Sequence, residues 1–419
     1  MNDEGPSSRR LRWLYMASLI LAGDSIYLLV YMRQSFQTSM HEVFEISYTQ
    51  LGIMNSMYGL LAITAYFAGG WLSDRVATRT LLSFSLFATG LGGYYMATIP
   101  SYPMLLALHA FWGVSTILTF WAALVKATRL WGGSDDQGRT FGILDAGRGL
   151  VGAVMMTAGA WVFSRSALAA DGLVDVILLY ATASMAAGLC VLAFIPPDHA
   201  HGSLTHSDNS NAPAGQLRVV ARMPAVWLQA LIILMAYWLY LGSFEFATFA
   251  EKVFDQDKVF GASLSAFREW LRPVSAIAAG FLADRIRASR AVSIAFITSA
   301  VGYGALALIP GRADLLWMLW IQISAVAIAV FALRGIYFAL MEESKIPLLV
   351  TGTAVGLVST IGFTADVFAY PMVGWFLDNY GPATGYQYYF SILAGASVFG
   401  LFLTLTLGWQ NQRGKPREQ

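Results

Sequence analysis

Twelve apolar stretches, each near or above the ~20 residues that an α-helix needs to cross a bilayer, constrain this chain more than any other feature. They cover 11–32, 48–72, 80–99, 104–130, 139–163, 173–195, 223–250, 263–283, 291–309, 314–341, 350–376 and 385–408. Within hydrocarbon every backbone N–H and C=O must find a partner inside its own segment, so such stretches read as helices. The predicted class is an all-α membrane protein with twelve transmembrane helices. Composition agrees: 57% of the 419 residues are hydrophobic and only 12% are charged, against ~25% charged in soluble domains. The first stretch is no cleaved signal, being long, flanked by Arg9, Arg10 and Arg12, and followed by no small-residue cleavage site. A net charge of +1 gives no basic face for nucleic acid. The single cysteine, Cys190, leaves no basis for an intrachain disulfide framework or a cysteine-held metal.

Twelve spans place both termini on one side, and Lys and Arg mark that side as cytoplasmic. Most of the 26 basic residues, from Arg9, Arg10 and Arg12 through Arg75, Arg79, Lys126, Arg285 and Arg290 to Lys415 and Arg417, fall there. Arg33, Arg165, Lys252, Lys258 and Arg312 fall on the opposite side, and Arg148, Arg268, Arg272 and Arg334 within spans. The expected location is a bacterial inner membrane.

The two halves match at a constant offset of 210 residues. Gly70, Leu72, Asp74 and Arg75 recur as Gly280, Leu282, Asp284 and Arg285; Ala97, Ile99 and Pro100 recur as Ala307, Ile309 and Pro310; Tyr27 recurs as Tyr237 and Gly152 as Gly362. The repeat predicts two pseudo-symmetric six-helix bundles, 1–195 and 223–419, an architecture known among transporters. The polar, His-, Ser- and Asn-bearing segment 196–222 reads as a cytoplasmic linker, with His199, His201 and His206 incidental to it.

The second span ends in Gly70-Trp71-Leu72-Ser73-Asp74-Arg75 and the eighth in Gly280-Phe281-Leu282-Ala283-Asp284-Arg285. This doubled loop resembles the signature of the major facilitator superfamily, and the resemblance extends over the whole chain. It implies a secondary transporter in which Gly70 and Gly280 permit close helix approach. Asp74 and Asp284, each followed by its arginine (Arg75, Arg285), would gate the cytoplasmic side by facing helix N-termini near 350–352 and 140–142, where a carboxylate is favourable.

An ionisable group at membrane depth is costly, so each is a functional candidate. Asp24 sits 13 residues into the first span with Tyr27 and Tyr31 at i+3 and i+7, on one helix face. Asp145 and Arg148 lie at i and i+3 in the segment Gly142 to Gly149, where Gly147, Gly149 and Gly152 thin the helix around the arginine. Arg268 and Arg272 share a face beside Glu269, and Pro273 follows. Arg334 lies on a face with Phe331 and Phe338. Glu245 falls eight residues after Tyr237, which places them on one face of a regular helix, and Asp366 reads as a structural partner. Arginine suits carboxylate, phosphate or sulfonate because its planar fork offers parallel hydrogen bonds.

These residues predict a transporter of a small organic anion, proton-coupled or exchanging, working by alternating access. Substrate contact is assigned to Arg148, Arg272, Arg334, Tyr27, Tyr31 and Tyr237, and proton coupling to Asp24, Glu245 and Asp145. The segment Tyr27 to Val30 loosely resembles the organic-anion and organophosphate branches, with Tyr31 where those carry arginine and Arg33 nearby. The alternative is proton-coupled efflux of drugs or cationic amphiphiles, with Asp24 and Glu245 meeting the cation. No Walker lysine loop, nucleophile elbow or zinc helix is present, so neither an enzyme nor an ATP-driven pump is expected. Nor is a cofactor or metal. A monomer in the lipid bilayer is expected, its partners being substrate and protons or a counter-substrate.

Overall fold

The computed structural model describes residues 6–132, 137–197, 218–344, 346 and 348–413; the side chains of 6–9, 66–71, 74, 137–139, 284, 342, 348–353 and 412–413 lie outside the description. The described residues are almost wholly helical, and no strand occurs among them. A helix stands at each of the twelve predicted stretches. The first unit holds α1 (Pro6–Leu28), α2 (Arg33–Val43), α3 (Tyr48–Arg75), α4 (Thr78–Met96), α5 (Tyr102–Thr116), α6 (Ala122–Gly132), α7 (Gln137–Arg165) and α8 (Ala169–Phe194). Beyond it come α9 (Pro224–Gly242), α10 (Phe246–Val253), α11 (Lys258–Ile286), α12 (Ala288–Leu308), α13 (Leu316–Ile336), α14 (Leu340–Glu343), α15 (Leu348–Gly362) and α16 (Ala365–Arg413).

Local chemistry fixes several helix ends. Ser47 Oγ accepts from Gln50 N–H at 3.2 Å while Gln50 Oε1 accepts from Ser47 N–H at 2.9 Å, the reciprocal capping box that satisfies two free donors at the start of α3. Pro103 and Pro224 occupy first-turn positions of α5 and α9, where no N–H is needed. At the other end of α3, Lys126 Nζ donates to Ser73 O at 2.8 Å, which places a cation on the negative end of the helix dipole.

Eight stretches of the described residues are long and apolar enough to cross a membrane. One of them, Ala354–Asn411, takes in most of the last two predicted spans, which meet at Gly381, where φ 74 and ψ 166 interrupt the helix, a conformation natural only to glycine. Three predicted spans are helical but outside the eight. The charges of Arg268, Glu269 and Arg272 weaken the segment in α11, Ser, Thr and Gly dilute α4, and part of α3 is not described. Arg33 departs from its predicted place in a loop. It begins α2, is 2% exposed, and belongs to the span Arg10–Val43.

The chain forms two compact units, Met1–Ser203 with Asp257–Trp270, and Leu204–Gln256 with Leu271–Gln419. In the first, α1 packs on α7 and α8, and α4 on α8; in the second, α9 packs on α15 and α16, and α12 on α16. The pairings are equivalent under the 210-residue repeat. So are two of the glycines that permit them. A Cβ at Gly152 of α7 would come within 2.8 Å of Asp24 Oδ2 on α1, and one at Gly362 of α15 within 2.5 Å of Ile233 Cγ2 on α9.

Candidate functional site

In the first unit Arg148 crosses from α7 to α1. Its path exists because Gly23 has no side chain: a Cβ there would lie 2.9 Å from Arg148 Cδ. Beside it, a Cβ at Gly147 would strike Ile20 at 2.5 Å, so Gly147, like Gly152, lets α7 and α1 come together. Arg148 Nε donates to Gly23 O at 2.9 Å. The guanidinium carbon lies 5.6 Å from the Trp121 ring centroid and 5.9 Å from that of Tyr27, within cation–π range. Asp145 does not hold it tightly: Oδ1 is 3.7 Å from Nη1 and the Asp145 side chain is 61% exposed, against 13% for Arg148.

Asp24 is buried, its carboxylate pointing at Gly152 of α7. Tyr27 and Tyr31 remain on one line although α1 ends at Leu28, because Tyr31 N–H still bonds Tyr27 O at 3.0 Å. Their rings are 6.2 Å apart, and Tyr31 meets Tyr58 edge-on at 5.6 Å.

In the second unit Arg334 of α13 lies over the Tyr240 ring, 4.0 Å from its centroid. Sequence spacing pointed instead to Phe331 and Phe338, its neighbours along the helix. Arg272 is near enough to interact electrostatically with Arg334. Tyr237 OH donates to Asp366 Oδ2 at 2.9 Å, both groups being buried. Thus each unit contains a tyrosine at the repeat position (Tyr27, Tyr237), a buried carboxylate (Asp24, Asp366) and an arginine over an aromatic ring. The arginines themselves are not repeat-related.

Glu245 does not continue the Tyr237 face. A 3-10 turn, Ser243–Glu245, separates α9 from α10 and shifts the register. Glu245 is fully buried and accepts from Tyr386 OH at 3.0 Å, while Tyr237 bonds Asp366, on the other side of the Gly381 break.

A second polar cluster in the first unit was not legible beforehand. Arg268, 1% exposed, donates to Gln34 Oε1 at 2.7 Å and to Glu269 Oε2 at 3.0 Å. Ser265 Oγ donates to Gln34 O at 2.7 Å, Trp270 Nε1 to Thr157 Oγ1 at 3.1 Å, and Lys258 Nζ to Glu42. All but the Arg268–Glu269 bond tie the segment 257–270 to α2 and α7. Gln34, an uncharged residue, gave no sequence signal.

Of the gating residues, Arg75 and Arg285 are exposed. At Gly70, Asp74 and Asp284 nothing beyond the helical backbone is described, and 198–217 of the linker, with its three histidines, lie outside the described residues. A Cβ at Gly280 would meet nothing within 4 Å among the described residues, so the close approach predicted for that glycine is not seen there. His109 is buried and bonds Leu105 O at 2.9 Å through Nδ1, a packing histidine.

The family model described as "Major Facilitator Superfamily" matches residues 13–345, and the chain belongs to that superfamily. The protein is an integral, multi-pass membrane transporter in family and fold, not an enzyme. Among curated relatives it is similar to the inner membrane protein YihN of Escherichia coli (strain K12), 26% identical over 400 residues, 94% of this chain and 95% of the relative. It is similar also to the inner membrane protein YqcE of the same organism, 25% identical over 402 residues, 94% of each chain. Among solved structures, a mutant form of the nucleoside transporter NupG superposes with a TM-score of 0.77 at 12% identity, covering 95% of this chain and 99% of NupG. A bacterial homologue of the human lysosomal transporter Spinster, inward-facing and unoccupied, gives 0.77 at 12% identity, covering 99% and 100%. At such identities the structures establish the fold alone.

Proposed function

We propose that the protein is a secondary active transporter of a small organic anion of carboxylate, phosphate or sulfonate type, proton-coupled or exchanging, working by alternating access in the inner membrane with both termini cytoplasmic. The observation that carries this reading is Arg148. Its alkyl chain is buried against Gly23, its Nε is bonded to a backbone carbonyl, and its guanidinium is bordered by Trp121 and Tyr27. An arginine so placed serves oxyanion recognition better than a lysine would. Arg272 and Arg334 supply the second unit's positive charge. Asp24, Glu245 and Asp145 are assigned to proton coupling, which must make the two access states differ in affinity for proton and substrate.

The test is uptake into proteoliposomes of a panel of anions and organic cations, with and without a proton gradient. Arg148→Ala and Arg272→Ala are expected to abolish anion uptake. Anion transport at the wild-type rate in both variants would remove the proposal, and cation export lost in Asp24→Asn would replace it with drug efflux.

A further inference from the structure

Between α5 and α6 the chain takes five residues of π-helix, Ile117–Trp121, a rare form that appears in short insertions and often at functional sites. The local sequence favours it. Thr116 and Thr119 bond back to Trp112 O at 2.8 Å and Ser115 O at 2.6 Å, and such side-chain bonds compete for carbonyls of the regular ladder. One extra residue in a helix rotates every later residue by ~100°. Here consecutive residues diverge in role: Phe120 is fully buried in the core of the first unit, while Trp121 borders Arg148.

Guanidinium carries five N–H donors, one on Nε and two on each Nη. The Nε donor is committed to Gly23 O, so the side-on fork that pairs Nε with an Nη is closed to a ligand. The end-on fork of Nη1 and Nη2 is left, since Asp145 at 3.7 Å from Nη1 is beyond hydrogen-bond distance.

We infer that Trp121, delivered by the π-helical turn, is a positioning residue that with the Gly23 carbonyl fixes Arg148 so that it takes a substrate oxyanion end-on through Nη1 and Nη2. The ligand class is an anion with two oxygens on one atom, reachable along the axis of the guanidinium. This inference rests on the organic-anion reading of Arg148.

The test uses the full chain, purified in detergent, with phosphate, isethionate and glycolate as probes at ionic strength matched by sodium chloride. Ligand-dependent thermal stabilisation is titrated to give Kd. Wild type is expected to bind at least one probe. Trp121→Leu should weaken that Kd by about tenfold, the scale of a partly desolvated cation–π contact, and Trp121→Phe should stay within about threefold. If Trp121→Leu does not fold, Trp121→Gln, also lacking a ring, is read in its place. A ringless variant that binds like wild type, or a Phe variant as weak as the ringless one, overturns the role of Trp121 while leaving Arg148 as anion site. If wild type binds none of the probes, or Arg148→Ala binds as well as wild type, the anion reading fails and the inference with it.

Discussion

Polar groups at membrane depth are expensive, so a buried acid calls for a group that answers its charge. Tyr237 OH on Asp366 is the clearest pair. Tyr237→Phe removes the donor and leaves a buried carboxylate oxygen without it, which should lower stability by about 1–3 kcal/mol; thermal unfolding in detergent reads this. Asp366→Asn should cost less, since an amide oxygen still accepts from the phenol. Arg148, Tyr27, Asp24 and the glycines of α7 were legible in the sequence because charge and glycine inside an apolar run are conspicuous. Their pairing was not: Gly23 looks like any helical glycine, and Trp121, an aromatic that could meet a substrate, is tied to Arg148 by nothing in the spacing. What selects them is proximity between helices, which spacing along one helix does not encode.

At the scale of elements, the apolar runs were readable to within a few residues, but the departures from regular helix were not. The π-helical turn and the 3-10 turn at Ser243–Glu245 depend in part on how neighbours pack. The expectation that Glu245 and Tyr237 share a face failed for that reason, since an i to i+8 argument assumes unbroken α-helix. Glycines divide similarly. A Cβ at Gly113 in α5 would come within 2.5 Å of Tyr58 O, a backbone atom of α3, whereas one at Gly142 meets nothing within 4 Å among the described residues. Gly113→Ala should therefore destabilise by about 1–3 kcal/mol, the range for overpacking. Gly142→Ala should be neutral or slightly stabilising through helix propensity. Midpoints of thermal unfolding for the two variants, measured side by side, check the contrast, and equal values would contradict it.

For the whole molecule, the 210-residue repeat announced two equivalent bundles, and the packing of α1 on α7 and of α9 on α15 is equivalent in the same way. A repeat reports kinship between segments, not the company each one keeps. Residues 257–270 descend from the second copy, yet their side chains Ser265, Arg268 and Trp270 bond to Gln34 and Thr157, and they count among the first unit. The first unit is therefore incomplete if the chain is cut where the sequence invites division. A polypeptide ending at Ser203 would be a bundle missing one of its own pieces, with Gln34, Glu42 and Thr157 deprived of their counterparts. Such a fragment expressed alone should be degraded or melt well below the intact chain. Co-expressed with 204–419 it should be rescued, and that rescue should fail when the second fragment carries Arg268→Ala and Ser265→Ala. Pulse-chase and co-purification of the two fragments measure this directly: in a transporter that looks like two tandem copies, the survival of the first would depend on synthesis of the second.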